Sequence, residues 1–136
     1  DQYRSGWGRL SRDNLVGAGN KWITDLKIKT KNSLNPVTSL SGGNQQRVVL
    51  AKWFAMNPHL MILNGPTVGV DVGSKREILE IIRDRAKNGM SFLVVSDDIP
   101  ELIQICHRVL VIKNGKISKE FLESELDEAS LYKELN

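Results

Sequence analysis

Leu40-Ser41-Gly42-Gly43-Asn44-Gln45-Gln46-Arg47 runs without a break into an apolar stretch from Val48 to Met56. The paired glycines let the backbone approach a ligand closely. The apolar stretch behind them predicts a helix whose first N–H groups have no partner inside it. Such an end carries about half a positive charge, so this corner suits an anion, phosphate above all. Ser41 adds a hydroxyl, Gln45 an amide, and Arg47 a positive charge near the first turn. The plain alternative is that Ser41 only caps a helix after a Gly-Gly turn. The order and spacing of the residues beyond Met56 decide between the two.

Val48, Val49, Leu50, Ala51, Trp53, Phe54, Ala55 and Met56 make the helix apolar nearly all round, which predicts burial with Trp53 and Phe54 in a core. Asn57-Pro58 ends it, because the residue before a proline avoids helical angles. A short apolar strand, Leu60 to Leu63, leads into Asn64-Gly65-Pro66-Thr67 and then Gly69-Val70-Asp71-Val72-Gly73. Ser74-Lys75-Arg76-Glu77 has the form of a capping box, and Ile78, Leu79, Ile81, Ile82 and Ala86 give the next helix one apolar side. Asn88-Gly89 closes that helix, and Phe92 to Val95 is a second buried-type strand. Strands alternating with helices define an α/β class, a parallel sheet with flanking helices. Ile99, Leu102, Ile103 and Cys106 form the face of a short helix, which makes Cys106 a small core residue rather than a nucleophile. Val109 to Lys113, Asn114-Gly115 and Lys116 to Phe121 predict a tight β-hairpin, since Asn-Gly supplies the positive φ angles of a two-residue turn. Ser124 to Leu135 reads as an acidic C-terminal helix with Leu126, Leu131 and Leu135 on or near one side.

Upstream of the glycine pair the pattern is thin. Residues 1–20 are polar and glycine-rich with no sustained period, apart from Trp7 and Leu10. Gly17-Ala18-Gly19 is not a dinucleotide loop: Trp22 stands where a third glycine is needed, and no strand precedes it. Trp22, Ile23 and Leu26 lie at helical spacing and predict a short amphipathic helix. A net charge of +3 with scattered basic residues gives no footprint for nucleic acid. The single cysteine, Cys106, rules out a disulfide or Cys-based metal site within the chain. No apolar run is long enough to cross a bilayer, and the first residues do not read as a signal peptide, which points to the cytosol.

The order Leu-Ser-Gly-Gly-x-Gln, helix, apolar strand, Pro-Thr, Gly-Val-Asp resembles the ATP-binding subunits of ABC transporters. The wording from Leu40 to Trp53, with Gly69 to Gly73, is most similar to the second nucleotide-binding half of bacterial monosaccharide importers of the ribose, galactose and xylose type. The resemblance implies a partial P-loop NTPase fold. Residues 1–38 would be the tail of a helical subdomain that faces the membrane subunits. Residues 39–121 would run from the signature through the Walker B strand and D-loop to the sheet core, and residues 122–136 would be a C-terminal helix. Leu40, Ser41, Gly42, Gly43, Asn44 and Gln45 would be the signature, and Gly69, Val70 and Asp71 the D-loop. ATP and Mg²⁺ would be handled by the complete two-half assembly rather than held tightly by this chain. The implied partners are another nucleotide-binding half on the same polypeptide, transmembrane permease subunits and, indirectly, a periplasmic or lipid-anchored sugar-binding protein. The implied place is the cytoplasmic face of the membrane, held there through partners.

Against that family pattern the chain departs at the hydrolytic corner. It has no G-x-x-x-x-G-K-[ST] phosphate loop; Gly69 to Lys75 is one residue too short between glycines, with Ser74 before the lysine. Asn64-Gly65 stands where the family has Asp-Glu before Pro-Thr. Asn64 brings no charge toward magnesium, which favours carboxylate and water oxygens. Gly65 cannot act as the general base, a contribution of about 10²–10⁴ in rate. Asp97 stands where many family members have a histidine, and at about 4 Å it would repel a terminal phosphate by roughly 1–4 kcal/mol. His59 and His107 are not placed to substitute and read as surface residues. No catalytic residue or metal ligand is therefore intact, and the expectation is a chain that is inactive alone but lends its signature to another half. Three rivals stand beside it: a free-standing regulatory module, engineered changes at Asn64 and Gly65, and a purely structural interaction domain. The last leaves the Ser41 to Gln46 pattern unexplained.

Overall fold

The computed structural model describes residues 11–135. Trp7 and Leu10 lie outside the described residues. Two compact units result: one holds the described residues up to Pro58 together with Gly69–Lys75, the other His59–Val68 with Arg76 onward.

In the first unit, α1 spans Arg12–Asp25 and α2 spans Gly42–Phe54, with a 3₁₀ turn at Val37–Ser39 between them. Helix α1 starts ten residues before Trp22, well ahead of the short helix expected around Trp22, Ile23 and Leu26. Ser11 caps it by accepting from the Asn14 N–H at 3.4 Å, and Gly17 and Gly19 continue the helix instead of breaking it. Lys27 follows at φ 51°, with its N–H on the Thr24 carbonyl and the Ile28 N–H on the Ile23 carbonyl. That pair of bonds is a Schellman stop, here made without glycine.

Helix α2 is not apolar all round. Its buried residues are Gly43, Asn44, Arg47, Leu50, Ala51 and Phe54, a stripe at helical spacing, while Val49, Trp53 and Met56 are exposed. Phe54 stacks on Trp22 with ring centroids 6.3 Å apart, so the core expectation holds for Phe54 and fails for Trp53. The two polar members of the stripe are invisible to a hydrophobicity argument. Arg47 Nη1 donates to the carbonyls of Lys27 at 2.8 Å and Leu26 at 3.4 Å, and Asn44 Oδ1 accepts from the Lys29 N–H at 2.7 Å. Both side chains satisfy backbone groups that the end of α1 leaves over.

In the second unit, β1 (Leu60–Asn64) and β2 (Ser91–Val95) pair in parallel, Leu60 opposite Ser91 and Asn64 opposite Val95. Helix α3 (Val72–Lys87), which belongs to this unit from Arg76 on, makes the connection, with Ile78, Leu79 and Ile82 buried. The apolar runs predict burial on both faces of each strand. Instead Met61 and Leu63 turn inward while Leu60, Ile62, Leu93 and Val95 are at least half exposed. A second sheet is the hairpin of β3 (Arg108–Lys113) and β4 (Lys116–Leu122), turned by Asn114 and Gly115 at φ 51° and 73° as the dipeptide predicts. Helix α4 (Ile99–Ile105) and α5 (Glu128–Leu135) complete the core, which gathers Ile99, Leu102, Val109, Val111, Phe121 and Leu131. Cys106 packs against this cluster, and burial pushes its thiol pKa up, which agrees with a core role.

The C-terminal stretch is not one helix. Glu123–Glu125 forms a 3₁₀ turn, and α5 starts only after Asp127, whose carboxylate accepts from the Ser130 N–H at 2.9 Å. Asp127 is a better helix start than a mid-helix residue, so the acidic run splits there. Leu131 is buried, Leu126 partly so, and Leu135 lies 48% exposed.

Candidate functional site

The N-terminus of α2 presents Ser41 and Gly42 to solvent. The first intrahelical bond is Gln45 N–H to the Ser41 carbonyl at 2.9 Å, so the N–H groups of Gly42, Gly43 and Asn44 precede the ladder. Ser41 occupies the cap position in an extended conformation, yet its hydroxyl makes no bond to the helix backbone. It accepts instead from Asn44 Nδ2 at 2.8 Å. The simple capping role is thereby excluded. Accepting from Asn44 leaves the single proton of the Ser41 hydroxyl available as a donor.

Three residues at this corner have structural roles as well. Gln45 is drawn back: its Nε2 donates to the Leu40 carbonyl at 2.8 Å, which ties the loop to the helix. Arg47 points inward onto α1 and is only 2% exposed. Burial lowers its pKa, and Asp71 acts the other way, holding the charge in place. Gly43 needs its missing side chain for packing: a Cβ there would collide with the Oγ and Cβ of Ser74, whereas one at Gly42 would meet only the Gly69 carbonyl at 3.4 Å.

Asp71 starts α3. Its Oδ1 accepts from the Ser74 N–H at 2.9 Å, its Oδ2 from the Ser74 hydroxyl at 2.7 Å, and its carbonyl takes the Lys75 N–H at 2.8 Å. These bonds to Ser74 hold the Asp71 carboxyl below the usual carboxylate range. The capping box placed on Ser74 to Glu77 is corrected accordingly: Asp71 is the cap, Ser74 sits at its third position, and the helix begins earlier. Asp71 with Ser74 three residues on is the legible signal, masked by the Ser-x-x-Glu that overlaps it.

In the second unit, Asn64 ends β1 exposed, and Gly65 comes next at φ 54° with its N–H on the Val95 carbonyl at 2.8 Å. A Cβ at Gly65 would stand 2.8 Å from Val68 Cγ2. The position is shaped for glycine on both counts. Asp97 is exposed just past β2, and His59 and His107 are exposed as expected. Between the two loops lies a group that sequence reasoning missed. Glu101 is 1% exposed, and its Oε2 accepts from the Thr67 hydroxyl at 2.7 Å and the Ser96 hydroxyl at 3.4 Å. In sequence it is one more acid on a short helix; only the fold brings Thr67 and Ser96 to it.

Among the described residues no group of three or more His, Cys, Asp or Glu could hold a metal ion. The end of β1 does not fit a magnesium site either, since Asn64-Gly65 offers no carboxylate. No helix among the described residues is long and apolar enough to cross a membrane.

The ABC transporter family model matches residues 14–68. The chain is 39% identical over 119 residues to the galactose/methyl galactoside import ATP-binding protein MglA of Clostridium perfringens, covering 87% of this chain and 23% of that protein. It is 41% identical over 131 residues to the ribose import ATP-binding protein RbsA of a Ruegeria species, covering 96% of this chain and 26% of that protein. The chain thus spans about a quarter of the length of these relatives. In three dimensions it is similar to the bacterial ABC transporter cassette MJ0796 in its dimeric structure, with a TM-score of 0.72 and 23% identity over 85% of this chain and 50% of that one. The ADP conformation of the cassette MJ1267 gives a TM-score of 0.72 at 20% identity over 96% of this chain and 53% of that one. The class is therefore an α/β fold of the ABC ATPase type. In sequence the chain matches the ATP-binding proteins of sugar importers and covers only a fraction of them.

Proposed function

We propose that this chain is the C-terminal part of the second nucleotide-binding half of a monosaccharide ABC importer, and that it lends its signature to an ATP site completed by another half. One observation carries the reading. The N-terminus of α2 leaves Ser41 and Gly42 outward, with Asn44, Gln45 and Arg47 all engaged in holding it, an arrangement that supports an anion at this end. The corner formed by Asn64, Gly65 and Asp97 lacks the groups for hydrolysis and has a backbone accommodated to glycine.

In the assembly ATP is the substrate, and magnesium would be held by the other half. Leu40 to Gln45 would be the signature, and its exposed end would meet the terminal phosphate: the N–H groups of Gly42 and Gly43 and the Ser41 proton would donate to its oxygens. Gly69, Val70 and Asp71 would lie beside them as the D-loop. Permease subunits, a sugar-binding protein outside the membrane, and a peripheral position on the cytoplasmic face belong to the same reading. A free-standing regulatory module is the alternative, and a phosphate-loop half encoded directly upstream separates the two.

Steady-state phosphate release tests the catalytic part. The chain alone should release none from ATP above background. Turnover by the chain alone that disappears with Ser41→Ala or Asp97→Asn would overturn the assignment.

A further inference from the structure

Gly43 and Ser74 lie far apart in sequence and against each other in the fold, and the contact has two sides. On one, a Cβ at Gly43 would collide with Ser74 Oγ and Cβ, although the same addition at Gly42 has room. On the other, the Ser74 hydroxyl donates to Asp71 Oδ2 at 2.7 Å while its N–H donates to Asp71 Oδ1 at 2.9 Å. Ser74 is partly buried and Gly43 fully so. One small side chain therefore sets the depth at which the first turn of α2 seats, and also orients the carboxylate that starts α3. A residue larger than serine would press on Gly43; one without the hydroxyl would leave Asp71 with backbone bonds alone.

We infer that Ser74 is a positioning residue for the anion-facing end of α2, and that the second glycine of Ser41-Gly42-Gly43 exists to receive it. The inference rests on the proposed signature role but makes one claim independent of it. If Gly43 is glycine because of Ser74, removing Ser74 should make room for a side chain at 43.

That claim is read on this chain by thermal unfolding. Gly43→Ala should lower the melting temperature, and adding Ser74→Gly should recover most of the loss, although Ser74→Gly alone also destabilises. A double variant no more stable than Gly43→Ala would overturn the packing assignment. The positioning role is read in the intact two-half protein by ATPase kinetics. Ser74→Ala should raise KM for ATP severalfold as the α2 end loses its seating, with kcat within about twofold. A merely structural role lowers the folded fraction instead, so a fall in kcat at unchanged KM would overturn it. Ser74→Thr keeps the hydroxyl but presses a methyl on Gly43, and it should restore less than half of the KM effect; full restoration would overturn the steric half of the inference. If Gly42→Asp leaves turnover intact, the signature reading itself fails, whatever Ser74 does to KM.

Discussion

Gly65 stands at φ 54° with Val68 Cγ2 2.8 Å from where a Cβ would sit, so any side chain is strained there before its chemistry is considered. Left-handed backbone costs an L-residue about 1–2 kcal/mol, and the methyl contact adds to it. Gly65→Ala should therefore lower unfolding stability by at least about 1 kcal/mol in denaturant titration; an unchanged midpoint and slope would show that the loop relaxes freely. The same strain bears on Gly65→Glu, whose carboxylate must be carried on this left-handed backbone. Arg47 is the corresponding support within the first unit. Arg47→Met keeps much of the buried stem but deserts the carbonyls of Lys27 and Leu26. The expected loss is about 1–3 kcal/mol, read by the same titration, and Arg47→Lys should recover only part of it.

At the scale of elements, the hairpin and the two parallel strands are legible because each signal is local: Asn-Gly for the turn, short apolar runs bounded by breakers for the strands. Helix α1 is not, because its glycines and polar residues give no period; Ser11 at one end and the Lys27 stop at the other delimit it. The exposed side of α2 and the outer face of β1 and β2 read as buried in sequence, since composition cannot tell an apolar residue that is covered from one that is not. Arg47, Ser74 and Glu101 escape for a shared reason. Each acts across 20 or more residues of chain, through contacts only the fold creates. The α3 start makes a pH prediction. The Asp71 pKa is depressed in the folded chain, so its contribution is present above the unfolded value of about 3.9 and is lost as pH falls through the folded value. Hydrogen exchange at the Ser74 and Lys75 amides should accelerate, relative to mid-helix amides, only below that unfolded value. Uniform behaviour along α3, or Asp71→Asn without effect at neutral pH, would remove Asp71 from the cap.

For the whole molecule, Leu60, Ile62, Leu93 and Val95 expose an apolar face on a two-stranded sheet that has no further strand among the described residues. Such a face and its open edges invite a second copy. Sedimentation across a concentration series should show self-association of the 136-residue chain, weakened by Ile62→Lys; a monomer at every concentration with no dye-accessible apolar surface would contradict this.

The proposed function turns on asymmetry: the α2 corner would serve a phosphate, and the β1 corner would not. Gly42 is the position at which to test it, because an added Cβ there meets only the Gly69 carbonyl at 3.4 Å and the fold should survive. Gly42→Asp puts a carboxylate where the phosphate would sit, a repulsion of roughly 1–4 kcal/mol at about 4 Å. The measurement is sugar uptake together with ATPase rate in the proposed two-half importer, at equal amounts of folded protein. Gly42→Asp should abolish both, while Asn64→Asp with Gly65→Glu should leave both near the parent. Turnover unchanged by Gly42→Asp and raised severalfold by the paired carboxylates would contradict the account.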